Sequence, residues 1–221
     1  MCSLTDRLHR AALAIAIATG APRGALGQEV ESAFWPELDV TWNINHRYAV
    51  GALYQNRHFE EHDERQQAAG VFGDLLHLPR WSVRAGYRHV WTEEESDPTT
   101  DENRGLVEYT VHSIGREASF VSRTRYEARW LDDGFSSRLR QRVQGERPLR
   151  IGKQRVTPFL SDEVFYDTRF GNIARNRARA GAKTDLKKNV SVEASYTRQD
   201  TYRDSVERVN AFAMTVGVTL H

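Results

Sequence analysis

Charged and apolar residues alternate at a two-residue spacing along much of this chain. In residues 123–130 the odd positions carry Arg, Arg, Glu and Arg, and the even positions carry Thr, Tyr, Ala and Trp. Successive side chains of a β-strand point to opposite faces, so this spacing predicts strands with one charged and one apolar face. The same alternation occurs in residues 81–88 and 174–183. A membrane barrel with a polar interior and a lipid-facing outer wall explains such strands.

Eleven segments suit this interpretation, and we predict a strand in each. They are residues 35–45, 47–57, 67–76, 80–91, 103–114, 118–130, 136–148, 154–166, 173–185, 189–199 and 207–220. Short connections alternate with longer polar ones, the latter at residues 58–66, 92–102, 131–135, 167–172 and 200–206. We therefore predict an all-β fold, a single transmembrane antiparallel up-and-down β-barrel of about 10–12 strands with its short turns in the periplasm. Because bacterial single-chain barrels usually have an even number of strands, the strand number stays open.

The first residues are typical of a secretory signal peptide. Arg7 and Arg10 precede an apolar segment at residues 11–18, and Ala25 and Gly27 fit the small-residue cleavage rule. We predict a signal peptide at residues 1–27, an outer-membrane β-barrel domain at residues 28–221, and a location in the outer membrane of a Gram-negative cell. The single cysteine would be lost on cleavage, so the mature chain would have no disulfide.

The composition narrows the function classes. The chain has 31 Lys and Arg against 30 Asp and Glu, and the leader contains three of those arginines and one aspartate. Without a basic excess we expect no nucleic-acid partner. A mean hydropathy of −0.64 argues against a helical membrane protein but agrees with a barrel, because half of each strand faces a polar lumen.

The charged faces are the main candidate site, which we call the charge lattice. We assign to the lumen Arg84, Arg88, Glu108, Arg123, Arg125, Glu127, Arg129, Arg138, Arg140, Arg142, Glu163, Arg175, Arg177 and Arg179. Buried charges must be paired, so a lattice of ion pairs that fills a narrow barrel is one interpretation. The other is a positive constriction that selects anions, with a small anionic solute as the partner.

Aromatic residues near the strand ends are expected where the membrane meets water. We assign this role to Trp35, Trp81, Tyr87, Trp91 and Trp130. The final segment has an apolar face at alternate positions from Phe212 to Leu220, similar to the C-terminal strands that barrels present to the assembly machinery. Outer-membrane lipid, lipopolysaccharide and that machinery are therefore the expected partners.

Two short motifs could carry chemistry. The spacing from His58 to His62 matches that of inverted zinc peptidases, but those ligands need a helix and this segment is a predicted loop. His112 and Ser113 are adjacent on one predicted strand and would point to opposite faces, so they cannot act together as base and nucleophile. We predict no catalytic residue, metal or cofactor.

Three segments resemble the uncharacterised bacterial family known as domain of unknown function 2490. They are residues 34–57, residues 81–88 with the pattern WSVRAGYR, and residues 138–196. The resemblance implies a barrel in the outer membrane and no particular reaction. We therefore expect a non-enzymatic, porin-like barrel that is structural or forms a narrow pore. The alternatives are a barrel enzyme acting on lipid or lipopolysaccharide, and a secreted soluble β-barrel that binds an apolar ligand.

Overall fold

The computed structural model describes residues 30–60, 64–94, 97–115, 118–202 and 206–221. The proposed signal peptide and its cleavage site after Gly27 lie outside these ranges. Across the described ranges, no helix is long and apolar enough to cross a membrane.

Twelve strands follow one another in the described residues. They are β1 (Val30–Asn43), β2 (Ala49–Phe59), β3 (Arg65–Leu78), β4 (Trp81–Glu94), β5 (Asp97–Ile114), β6 (Ser119–Leu131), β7 (Gly134–Glu146), β8 (Leu149–Ile151), β9 (Gln154–Asp167), β10 (Asn172–Lys187), β11 (Val190–Tyr202) and β12 (Val206–Leu220). Eleven of these are long, and β8 has only three residues. The predicted all-β class and strand number are confirmed.

The long strands form a closed barrel. Each pairs antiparallel with the next long strand along the chain, and β1 pairs with β12 in a parallel register from Val30 opposite Arg208 to Trp42 opposite Leu220. In an up-and-down arrangement with eleven strands, the first and last strands run in the same direction. The barrel can therefore close only through a parallel pair. This accounts for the odd count, which the usual even number of strands did not lead us to expect.

The short strand β8 prolongs the line of β7. Arg147 donates its backbone N–H to the carbonyl of Pro158 at 3.1 Å, and β8 then pairs with the first residues of β9. Pro148 lies between β7 and β8 and has no N–H to continue the hydrogen-bond ladder. Gly152, with a φ of 63°, lies in the turn from β8 to β9.

The expected difference in loop length between the two rims is wrong. Only residues 95–96 separate β4 from β5 and residues 132–133 separate β6 from β7, although both were predicted to lie in longer loops. Strand β5 begins at Asp97 rather than near residue 103. At a rim both faces of a hairpin meet water, so the alternation fades while the backbone pairing continues. For this reason the polar residues at the ends of these strands were predicted to be loops.

The outer and inner faces divide as the alternation predicts. On β6, Tyr126 and Trp130 are 47% and 50% exposed, whereas Arg125 and Arg129 are buried. One predicted outward residue, Ala174, is instead buried, because a bulge between Ile173 and Arg175 shifts the register of β10 against β9.

The interior beside the parallel closure is apolar, and we call it the seam cluster. It consists of Ala33, Trp35, Phe59, Val209, Ala211 and Ala213. These residues come from β1, β2 and β12. The charge lattice lies mainly on the remaining strands.

Candidate functional site in the barrel interior

The predicted lattice residues lie on the interior side of their strands. Seven of them are buried, namely Glu108, Arg125, Glu127, Arg129, Arg140, Glu163 and Arg177. The other seven are half-buried. The cross-strand register places them in rows, since Arg125 is opposite both Glu108 and Arg140, and Arg177 is opposite Glu163.

Glu163 on β9 is the centre of one group of ion pairs. Arg140 on β7 donates to both of its carboxylate oxygens at 3.0 Å, and Arg123 on β6 donates to Oε1 at 2.8 Å. Arg177 on β10 approaches to 4.0 Å. The contact with Arg123 passes across β7, so it joins strands that are not neighbours in the sheet. One carboxylate therefore serves three arginines.

A second group surrounds Asp167 and Glu127. Asp167 has no exposed surface and accepts hydrogen bonds from Arg129 at 2.7 Å and from Arg138 at 2.9 Å. Glu127 is also buried and accepts from Arg140 Nη1 at 2.7 Å. Because Arg140 also binds Glu163, it connects the two groups. Removing Glu163 would therefore leave Arg123 without its closest carboxylate.

The two acidic partners of Arg129, Glu102 and Asp167, were not predicted. Glu102 pairs with Arg129 and, through two hydrogen bonds, with Arg104, while Asp167 binds Arg129 and Arg138. Both acids fell in segments predicted as loops. The alternation could have found them, because Glu102 shares the parity of Glu108 on one strand.

Some interior arginines stack on aromatic rings. The guanidinium of Arg84 lies 3.9 Å from the centroid of Phe72 and donates to Asp74 at 2.7 Å. A side chain at Gly51 would collide with the Phe72 ring, since its Cβ would lie 2.3 Å from the ring edge. The absence of a side chain at Gly51 thus lets the Phe72 ring approach the backbone of β2 closely.

The assignment of Trp35 to a water–lipid boundary is wrong. Trp35 is only 4% exposed and lies inside the barrel, with Arg57 and Arg177 at 4.7 Å and 5.1 Å from its ring. On β1 the exposed positions are the even ones, including Phe34 and Leu38, so Trp35 must face inward.

The other four aromatic residues lie on the outer side of their strands. Trp81 is the first residue of β4, Trp91 lies near its end, and Trp130 is the penultimate residue of β6. Tyr87 is exposed in the middle of β4. Their place at a membrane boundary stays a prediction.

The described residues bring together no catalytic or metal-binding group from the two candidate motifs. His112 is opposite Val121, which is buried, whereas Ser113 is opposite Phe120, which is exposed, so the two side chains point to opposite faces. His58 is exposed, and His62 lies outside the described residues. In the ranges that the structure describes, no three His, Cys, Asp or Glu side chains are placed to hold a metal ion.

Comparison with protein families gives one clear match. A family model described as protein of unknown function (DUF2490) matches residues 32–210, which is most of the chain and nearly the whole barrel. A search of curated proteins finds no match.

Proposed function

We propose that this chain, which belongs to the DUF2490 family of proteins of unknown function, is a non-enzymatic β-barrel of the Gram-negative outer membrane. The observation that carries the proposal is the inversion of the usual arrangement, with apolar side chains outside and charges inside. Exposed apolar residues occur around the barrel, including Leu38 on β1, Val71 on β3, Tyr126 on β6, Leu160 on β9 and Phe212 on β12. Soluble monomers rarely expose large continuous apolar surfaces, whereas a lipid-facing wall requires one.

A structural role is favoured by the way the interior is filled. The contact from Arg123 to Glu163 crosses β7, and Arg57 on β2 reaches the same Trp35 ring as Arg177 on β10. Side chains from distant strands therefore meet in the space that a wide pore would leave to water. The ion pairs would stiffen the barrel against the surrounding membrane.

A narrow anion pore is the second candidate. It is favoured by the excess of arginine, because Glu163 serves three arginines, and Arg88 and Arg142 have no ion pair with any described residue. Fixed positive charge in a constriction lowers the barrier to anions and raises it to cations. Outer-membrane lipid, lipopolysaccharide and the barrel-assembly machinery are the partners that either role implies.

Cell fractionation with mass spectrometry tests the location. We expect the chain in the outer-membrane fraction with Gln28 as its first residue, because Gly27 completes the cleavage signal. Recovery as a soluble periplasmic protein would overturn the membrane proposal. It would favour the soluble ligand-binding barrel.

Conductance in planar bilayers separates the two roles. The filled barrel should show no steady conductance steps, and the narrow pore should show small steps with a reversal potential displaced towards that of chloride. Release of fatty acid or headgroup from lipid or lipopolysaccharide by the purified protein would instead contradict the non-enzymatic part of the proposal.

A further inference from the structure

We propose that the barrel interior contains a binding site for one small oxyanion of the phosphate or sulfate class, bordered by Arg57, Arg88 and Arg177. The site concerns the interior alone. It requires neither a particular cellular location nor conduction through the barrel.

Arg88 on β4 is the first reason for this proposal. Its Nε is buried and has no hydrogen-bond partner among the described residues. Arg125, Arg104 and Arg140 all repel it, and the attraction of Glu37 is the exception among the strongest influences. A guanidinium whose Nε is shielded from water and left unpaired is costly, so a mobile anion at this place would be strongly favoured.

Arg57 on β2 is a second arginine whose charge is not neutralised by a bound carboxylate of the described residues. Its Nη1 donates to the neutral amide oxygen of Gln66 at 3.1 Å, and its Nε is buried without a partner among the described residues. The strongest charges acting on it are those of other arginines, among them Arg177 and Arg88.

Arg177 on β10 is the third arginine of the site, and it lies beside the same Trp35 ring as Arg57. Its Nε and Nη2 both donate to the amide oxygen of Gln199, at 3.1 Å and 2.6 Å. Its approach to Glu163 is 4.0 Å, and that carboxylate is already bound by Arg140 and Arg123. The charge of Arg177 is thus incompletely neutralised by the chain.

The chemistry of these groups selects an oxyanion. Guanidinium groups present planar sets of N–H donors that match the oxygens of phosphate, sulfate and carboxylate. Trp35 lies beside both Arg57 and Arg177 and supplies an aromatic wall that restrains their side chains. A tetrahedral anion can accept from several arginines at once, which chloride does less well.

The test uses the full-length mature barrel in detergent micelles, with sodium phosphate compared with sodium chloride at equal ionic strength. We expect phosphate to raise the unfolding temperature in a saturable way and to change the tryptophan emission. The fluorescence change should disappear in Trp35→Phe. Arg57→Gln and Arg88→Gln should each weaken phosphate binding about tenfold. Without phosphate they should unfold at a higher temperature than the wild type, because like-charge repulsion is relieved.

The matched control is the charge-neutral pair Arg84→Gln with Asp74→Asn. Arg84 is an interior arginine that is already neutralised by Asp74, so this variant should keep the full phosphate response. Equal effects of phosphate and chloride would overturn the site, as would an undiminished phosphate response in both single variants. If one of the single variants fails to refold, the other, together with the emission of Trp35, still decides the question.

Discussion

The charge lattice and the seam cluster fill the same barrel interior by opposite means. In the lattice, buried carboxylates such as Glu163 and Asp167 each hold two or more arginines at 2.7–3.0 Å. In the seam cluster, small residues such as Ala211 and Ala213 pack against Trp35 and Phe59, and Ala211 has no exposed surface. A lattice residue depends on charge balance, whereas a seam residue depends on volume. The two regions should therefore fail under different substitutions.

Removing a carboxylate from the lattice should have the largest effect. Glu163→Gln leaves Arg123 and Arg140 without their shared partner, and we expect a loss of about 3–5 kcal/mol in the free energy of unfolding. The double variant Glu163→Gln with Arg123→Gln should recover part of this loss, because Glu163 is the closest carboxylate to Arg123 and Glu108 keeps Arg125 as its partner. Urea unfolding of the barrel in lipid vesicles measures both. A loss below about 1 kcal/mol would show that water neutralises these arginines and would contradict the paired lattice.

A charge placed on the outer face of a lattice strand should have the next largest effect. Ala128 lies between the buried Glu127 and Arg129 on β6 and faces outward. In lipid vesicles Ala128→Arg should destabilise the barrel by about 2–4 kcal/mol near the membrane midplane. Ala128→Leu is the control and should be nearly neutral. An equally small effect of the arginine would mean that this face does not contact lipid.

Extra volume in the seam cluster should cost less. Ala211→Leu adds three carbon atoms at a fully buried position beside the parallel strand pair, and we expect a loss of about 1–3 kcal/mol from overpacking. The same substitution on the outer face, Ala128→Leu, keeps the interior unchanged and should cost less. Thermal unfolding in detergent compares them, and an equal cost would contradict a tightly packed seam.

The smallest effect is expected for Trp35→Phe. The indole Nε1 of Trp35 is buried without a hydrogen-bond partner, so removing that N–H offsets part of the lost packing. We expect a change of about 1 kcal/mol or less in the free energy of unfolding. Circular dichroism during urea unfolding measures it. A loss as large as that of Glu163→Gln would show that stacking with Arg57 and Arg177 dominates the seam.

Much of the lattice could be predicted from alternation alone. Rows such as Arg123 to Arg129 and Arg138 to Arg142 lie inside as expected, because the side-chain period of a strand is independent of its neighbours. Asp167 was missed because it is the last residue of β9, and Glu102 was missed because its neighbours Asp101 and Asn103 are also polar. The bulge at Ala174 could not be predicted, because one extra residue in a strand leaves the local composition unchanged.

The sequence by itself determined the all-β class, the two faces of most strands, and the excess of arginine on the inner face. These features follow from residue order along a single strand. Only the tertiary structure decided that eleven strands close through a parallel pair, that Trp35 points inward, and that Arg123 reaches Glu163 across β7. These contacts depend on the strand count and on the stagger of the closed sheet, and both are properties of all the strands together.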